Sequence, residues 1–179
     1  MKTLKVIQKT FQVFKVLSKV AMILSFVACG LIFIALACGL VWRSGGRVIG
    51  LGLETLQELT HTAALDHLIG ELLADAVFCL TDGVLFLFAF RYFSQEQEEG
   101  TPFTHSGANR IRRLGIQNIV LPLVAAIVAA VVYSCFGLDH AGGWDNGANV
   151  TMGIFLILTS LVFRYGAELE ERAKQEEEE

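Results

Sequence analysis

Three carboxylates, Glu71, Asp75 and Asp82, interrupt an otherwise apolar stretch of this chain at spacings of four and seven residues. On a helix those spacings amount to about one turn and two turns, so the three acids share one stripe, and His67 extends it by a further turn. A carboxylate placed among apolar residues needs a partner or a proton. Apart from Arg164 at the very end of the last one, no lysine or arginine lies inside the long apolar runs to neutralise these acids. Two kinds of chemistry fit the stripe. One is an ion or proton path, or a switch. The other is a polar contact between helices, with Asn118, Thr159 or Ser160 at a similar depth.

The second group with chemical potential is basic: Arg110, Arg112 and Arg113 cluster just before an apolar run. Such a cluster either anchors to anionic lipid headgroups or docks an acidic protein surface. Other constellations are missing or weak. No zinc-protease helix, nucleophile elbow or phosphate loop is present, so no catalytic residue is assigned and the chain reads as a non-enzyme. Gly50 and Gly52 suggest a dinucleotide fingerprint, but Thr55 occupies the third glycine position and no strand precedes it. His67, Glu71, Asp139 and His140 would have to converge to hold a metal, and their spacing within each segment is unremarkable, so they read as solvated side chains. Cys29, Cys38, Cys79 and Cys135 all lie within apolar runs and read as small apolar residues, not as a disulfide framework. No cofactor is implied. The net charge of −4 comes from the last four glutamates, and no basic surface for direct nucleic-acid binding emerges.

The elements that would position these groups are membrane-spanning helices. More than half of the 179 residues are apolar, with only two prolines. A hydrocarbon core of about 30 Å requires about 20 consecutive apolar residues in a helix. The expected architecture is all-α, a four-span transmembrane helix bundle with an amphipathic N-terminal helix. The spans fall at about 20–42, 72–90, 114–136 and 148–165. Val20 to Trp42 contains no charge. It is too long for a secretory apolar region of about 7 to 15 residues, so it reads as an uncleaved span and not as a signal peptide. Residues 1–19 place Leu4, Ile7, Phe11, Phe14 and Leu17 opposite most of the lysines. That pattern has two readings: a helix lying in the headgroup layer, or an extension of the first span.

Between the spans, Arg43 to Ile69 predicts a short amphipathic helix on the outer face. Arg91 to Gly115 reads as the main polar break, in which TPFT at 101–104 starts a helix with Pro102 in its first turn. Ala125/Ala129 and Ala126/Ala130 allow close helix approach, and Pro122 predicts a kink. Residues 166–179 form an acidic tail, in which Glu168 pairs with Arg172 and Glu170 with Lys174 at helical spacing. Eleven of the fourteen lysines and arginines lie in the N-terminal segment, the central break and the tail, and Arg164 at the end of the fourth span makes twelve on that side. The positive-inside rule then places both termini in the cytoplasm.

The segments EGTPFTHSGANRIRRLG, followed by an apolar span, and SLVFRYGAELE resemble the two signature regions of a bacterial membrane family called domain of unknown function 2975. The resemblance runs from Val20 to Glu171 and is densest over Gly100–Gly115 and Ser160–Glu168. It implies a four-span inner-membrane protein that works with a small helix-turn-helix regulator, and it brings no catalytic residues. The EERAKQEEEE end departs from the family pattern. The expected function is therefore that of a sensory or regulatory membrane partner of such a regulator. The alternative is a small ion-coupled transporter, or a protector against membrane-active peptides, built on the acidic stripe.

Overall fold

The structure is a computed structural model and describes residues 2–43, 62–99, 104–138 and 147–178. Four helices follow in order: α1 (Lys2–Arg43), α2 (Thr62–Glu99), α3 (His105–Phe136) and α4 (Gly147–Glu178). Each is long and apolar enough to cross a membrane. The fold is thus an all-α four-helix bundle of multi-pass membrane type, as the hydropathy pattern requires. The expected helix between residues 43 and 69 falls mainly on 44–61, outside the described residues; residues 62–69 form the first turns of α2.

These helices are longer than a bilayer needs. The 42 residues of α1 and 38 of α2 reach about 63 and 57 Å, against a hydrocarbon core of about 30 Å. Each helix continues past its apolar stretch at the same end of the bundle. Residues 2–19 are therefore not a separate element lying in the headgroup layer: α1 enters its span with no turn, because nothing in residues 2–43 breaks the helix. Likewise the expected break at 91–115 is mostly helical. Thr104 caps α3 in extended conformation, and its hydroxyl accepts from the Gly107 N–H at 2.9 Å. The helix starts at His105, while Pro102 lies outside the described residues.

Packing follows chain order. Among the described residues α1 packs on α2, α2 on α3 and α3 on α4, and no other pair of helices is in contact. The bundle is therefore an open row with α1 and α4 as its edges. Small residues set the spacing. The Cys29 side chain lies 3.9 Å from the Ala76 carbonyl, and a Cβ added at Gly83 would stand 3.2 Å from the Phe26 ring. Between α3 and α4 the approach is closer still, since a Cβ at Gly115 would meet the Gly153 carbonyl oxygen at 2.8 Å. Ala125, Ala126 and Ala129 are buried, as their four-residue spacing predicts. The backbone of α3 stays helical through Pro122 and ends at Gly137, in left-handed conformation, where the Leu138 N–H donates to the Tyr133 carbonyl at 2.9 Å.

Contacts between neighbours also fix relative depth. Phe14 stacks on Phe93, Arg110 meets Glu96, and Gly115 touches Ile157. Leu17, Arg91, Gly115 and Ile157 therefore stand at nearly one level. This shifts α4 by about two turns relative to the expected span 148–165. Its Thr159–Tyr165 segment runs beside Gly107–Arg113, because the two glycines can interlock only in this register.

Candidate functional site

The polar end of the bundle holds the densest cluster of charge chemistry, and it is built from parts of α2 and α3 that extend past the apolar core. Tyr92, Glu96 and Glu99 recur at three- and four-residue spacing on α2, which turns them to one side of that helix. Arg110 reaches them from the second turn of α3, held at that height by the Thr104 cap. Its Nη1 donates to Glu96 Oε1 at 3.5 Å and its Nη2 donates to Glu99 Oε1. Thr104 and Ser106 hydroxyls each donate to Glu99 Oε2 at 3.3 Å.

The two carboxylates of this cluster differ in environment. Glu99 is partly exposed, and the hydrogen bond from Arg110 holds its carboxyl below the ordinary range. Glu96 is completely buried. Burial pushes its carboxyl up to about 7, against the pull of the Arg110 guanidinium and with a smaller push from Glu99. Among the described residues, its Oε2 and the buried Tyr92 hydroxyl have no hydrogen-bond partner. Below them Tyr92 packs with Ile111 and Leu114, and Phe88, Phe93, Leu156 and Phe163 close over that cluster. The carboxylate is thus sealed from the apolar side and tied to one cation.

Adjacent helices are joined at the same end by two further polar bridges. Lys15 Nζ of α1 donates to Gln97 Oε1 of α2 at 3.1 Å, beside the Phe11 and Phe14 contacts with Phe93. His105 of α3 approaches Glu171 of α4 at 3.3 Å. Every helix is therefore tied to its neighbour outside the apolar region.

The structure separates groups that the sequence places together. Arg110 is turned into the protein and paired, so it is not part of a free basic surface. Arg112 and Arg113 are exposed. The acidic stripe is likewise not a buried helix contact: Glu71, Asp75 and Asp82 are all exposed on α2, and so is His67. The expected partners bond within their own helices, Asn118 to Leu114, Thr159 to Phe155 and Ser160 to Ile157. In an open row, α2 has covering helices only on the sides that meet α1 and α3, and the stripe stays exposed, with Glu71 and Asp75 close enough to Tyr133 of α3 for their charges to reach it. No set of three or more potential metal ligands converges among the described residues, and Asp139 and His140 lie outside them. All four cysteines are free.

Glu96, Tyr92 and Lys15 are the members of these polar contacts that the sequence alone does not single out. Their signal was present as the i, i+4, i+7 spacing of Tyr92, Glu96 and Glu99, which has meaning only if α2 continues as a helix beyond Phe90. Comparison of the chain with family models, with curated proteins and with solved structures finds no match in any of the three. The resemblance of residues 99–115 and 160–170 to domain of unknown function 2975 therefore rests on those motifs themselves.

Proposed function

We propose that this chain is a regulatory protein of a bacterial inner membrane, with both termini in the cytoplasm, whose protruding helix ends form a head that holds a soluble partner at the membrane. The observation that carries this reading is the Glu96–Arg110–Glu99 cluster, which ties α2 to α3 outside the apolar core while Arg112 and Arg113 stay exposed beside it. A side-chain network of this kind makes a rigid platform from helices that lipid alone would leave independent. The exposed arginines then offer positive charge to an acidic face. The family resemblance supports a helix-turn-helix regulator as that partner. Because the twelve cations concentrate at this end, the positive-inside rule supports a cytoplasmic head.

Two measurements test the proposal. Cysteines placed singly at Ser106 and Gly142, in a background lacking native cysteine, should react differently with an impermeant reagent in intact cells. Only Gly142→Cys should label, and labelling of Ser106→Cys would overturn the orientation. Arg112→Gln with Arg113→Gln should then release the regulator from membranes and change transcript levels, with insertion unaltered. Unchanged recruitment would remove the docking role. Ion-coupled transport is the second reading, favoured by the exposed Asp75 and Asp82 within a span. It requires Asp82→Asn to abolish cellular function while the fold survives.

A further inference from the structure

The two edges of the open row carry opposite charge and matching apolar surface at the head. Residues 1–19 of α1 contain five lysines and no carboxylate, while residues 166–179 contain seven glutamates against Arg172 and Lys174. Their described residues belong to α1 and α4, which do not touch among the described residues of one chain. Each also exposes apolar side chains beyond the level of Arg91 and Gly115. On α1 these are Val13, 64 % exposed, and Val16; on α4 they are Leu161, Val162 and Tyr165, the last also 64 % exposed. A neighbouring helix of opposite charge fits such an edge as its cover. Lipid headgroups fit the lysines poorly, since an unbent α1 carries its first turns about 20 Å beyond the level of Leu17.

We infer that the cover is a second copy of this chain, with the basic edge α1 of one copy packed against the acidic edge α4 of the other. The up-and-down order of the row continues across that contact, because α1 and α4 run in opposite directions through the membrane. A two-fold axis along the membrane normal makes the contact twice, so two open rows close into one eight-helix assembly with no free edge. The depth register sets Val13 of one copy opposite Leu161 of the other, and Lys9 of the first within reach of Glu168 of the second, whose carboxylate also meets Arg164 of its own helix at 3.4 Å. This arrangement does not depend on the identity of any soluble partner.

The test uses two full-length copies with different tags, co-expressed in a background lacking native cysteine, one carrying Val13→Cys and the other Leu161→Cys. A bifunctional maleimide spanning about 10 Å, the spacing of packed helices, is applied in native membranes. The expected product joins both tags. Lys9→Glu in the first copy should reduce its yield severalfold, and Glu168→Lys in the second should restore it. No product joining the tags would overturn the inference, and would be the outcome if lipid covers α1. A chain carrying both cysteines that links only within itself would also overturn it, as would loss with Lys9→Glu that Glu168→Lys fails to restore.

Discussion

Asp82 and Glu96 lie about four turns apart on the same helix, and their environments are opposite. Asp82 sits in the apolar span, yet its side chain is exposed on a side of α2 that no other helix covers. Glu96 lies outside the span, yet it is fully buried and bound to Arg110. Burial in this protein therefore follows the geometry of the row and not depth in the membrane. Residues facing α1 or α3 are enclosed at any depth; residues between those faces are open at any depth. Charged groups gain partners where the helices outrun the bilayer and polar residues are available from both sides of a contact.

The largest effect should come from breaking the enclosed end. Arg110→Ala removes the one cation bound to Glu96 among the described residues and also the bond to Glu99. Without the guanidinium the buried Glu96 carboxyl takes up a proton and keeps unpaired polar atoms, at a cost of about 1 to 3 kcal/mol. Thermal unfolding of the detergent-extracted protein should show that loss for Arg110→Ala and a smaller one for Glu96→Gln, which removes the buried charge itself. Equal stability of Arg110→Ala and the parent chain would mean that the cluster contributes nothing. Next in size is the glycine contact between α3 and α4. Gly153→Ala adds a Cβ that meets the Gly115 carbonyl oxygen at 2.8 Å and an Ile119 side-chain carbon at 2.5 Å. The backbone cannot yield as a side chain can, so about 1 to 3 kcal/mol is expected, with α4 loosened first. Faster proteolysis or hydrogen exchange confined to α4 would show it.

Much of this fold was legible in the sequence because hydropathy reports length directly. Runs such as Val20–Trp42, together with the four-residue alanine spacing on α3, announce four helices and one small-residue contact. What hydropathy does not report is where a helix stops outside the bilayer. The polar residues of 91–99 read as a loop, although spacing at Tyr92, Glu96 and Glu99 already had helical period. For the same reason Arg110 grouped with Arg112 and Arg113 by proximity in sequence, although adjacent positions on a helix point about 100° apart. The acidic stripe misled in the opposite sense. Its three acids stand exposed on α2, and no sequence pattern says which side of a helix its neighbours occupy. The depth of α4 depends on Gly115 meeting Gly153, a contact between distant segments that local periodicity leaves open.

The enclosed end should also make stability depend on pH. The folded chain holds the Glu96 proton up to about 7, against an ordinary value of 4.5. Between those values the native state binds a proton that the unfolded chain has released, so the stabilisation is complete below about 4.5 and is lost as pH rises through about 7. Stability should therefore fall across that window, and Glu96→Gln should flatten this part of the profile. A slope that persists in Glu96→Gln would assign it to another group. The smallest effect is expected at the open end. Asp82→Asn should change stability by no more than about 0.5 kcal/mol, and Asp82→Leu, which removes a carboxyl from the open side of the span, should not lower it. A large loss with Asp82→Leu would place that carboxylate in a contact between helices after all.

The most direct measurement is a double-mutant cycle on Glu96 and Arg110, using Glu96→Gln, Arg110→Gln and the pair, with unfolding of the extracted protein as readout. If the buried carboxylate and the guanidinium tie α2 to α3, the single substitutions should be strongly non-additive, with a coupling of about 1 to 3 kcal/mol. The same cycle with Asp82→Asn in place of Glu96→Gln should give additive effects. Additivity between Glu96→Gln and Arg110→Gln would contradict the account, because the head would then be held together by packing alone.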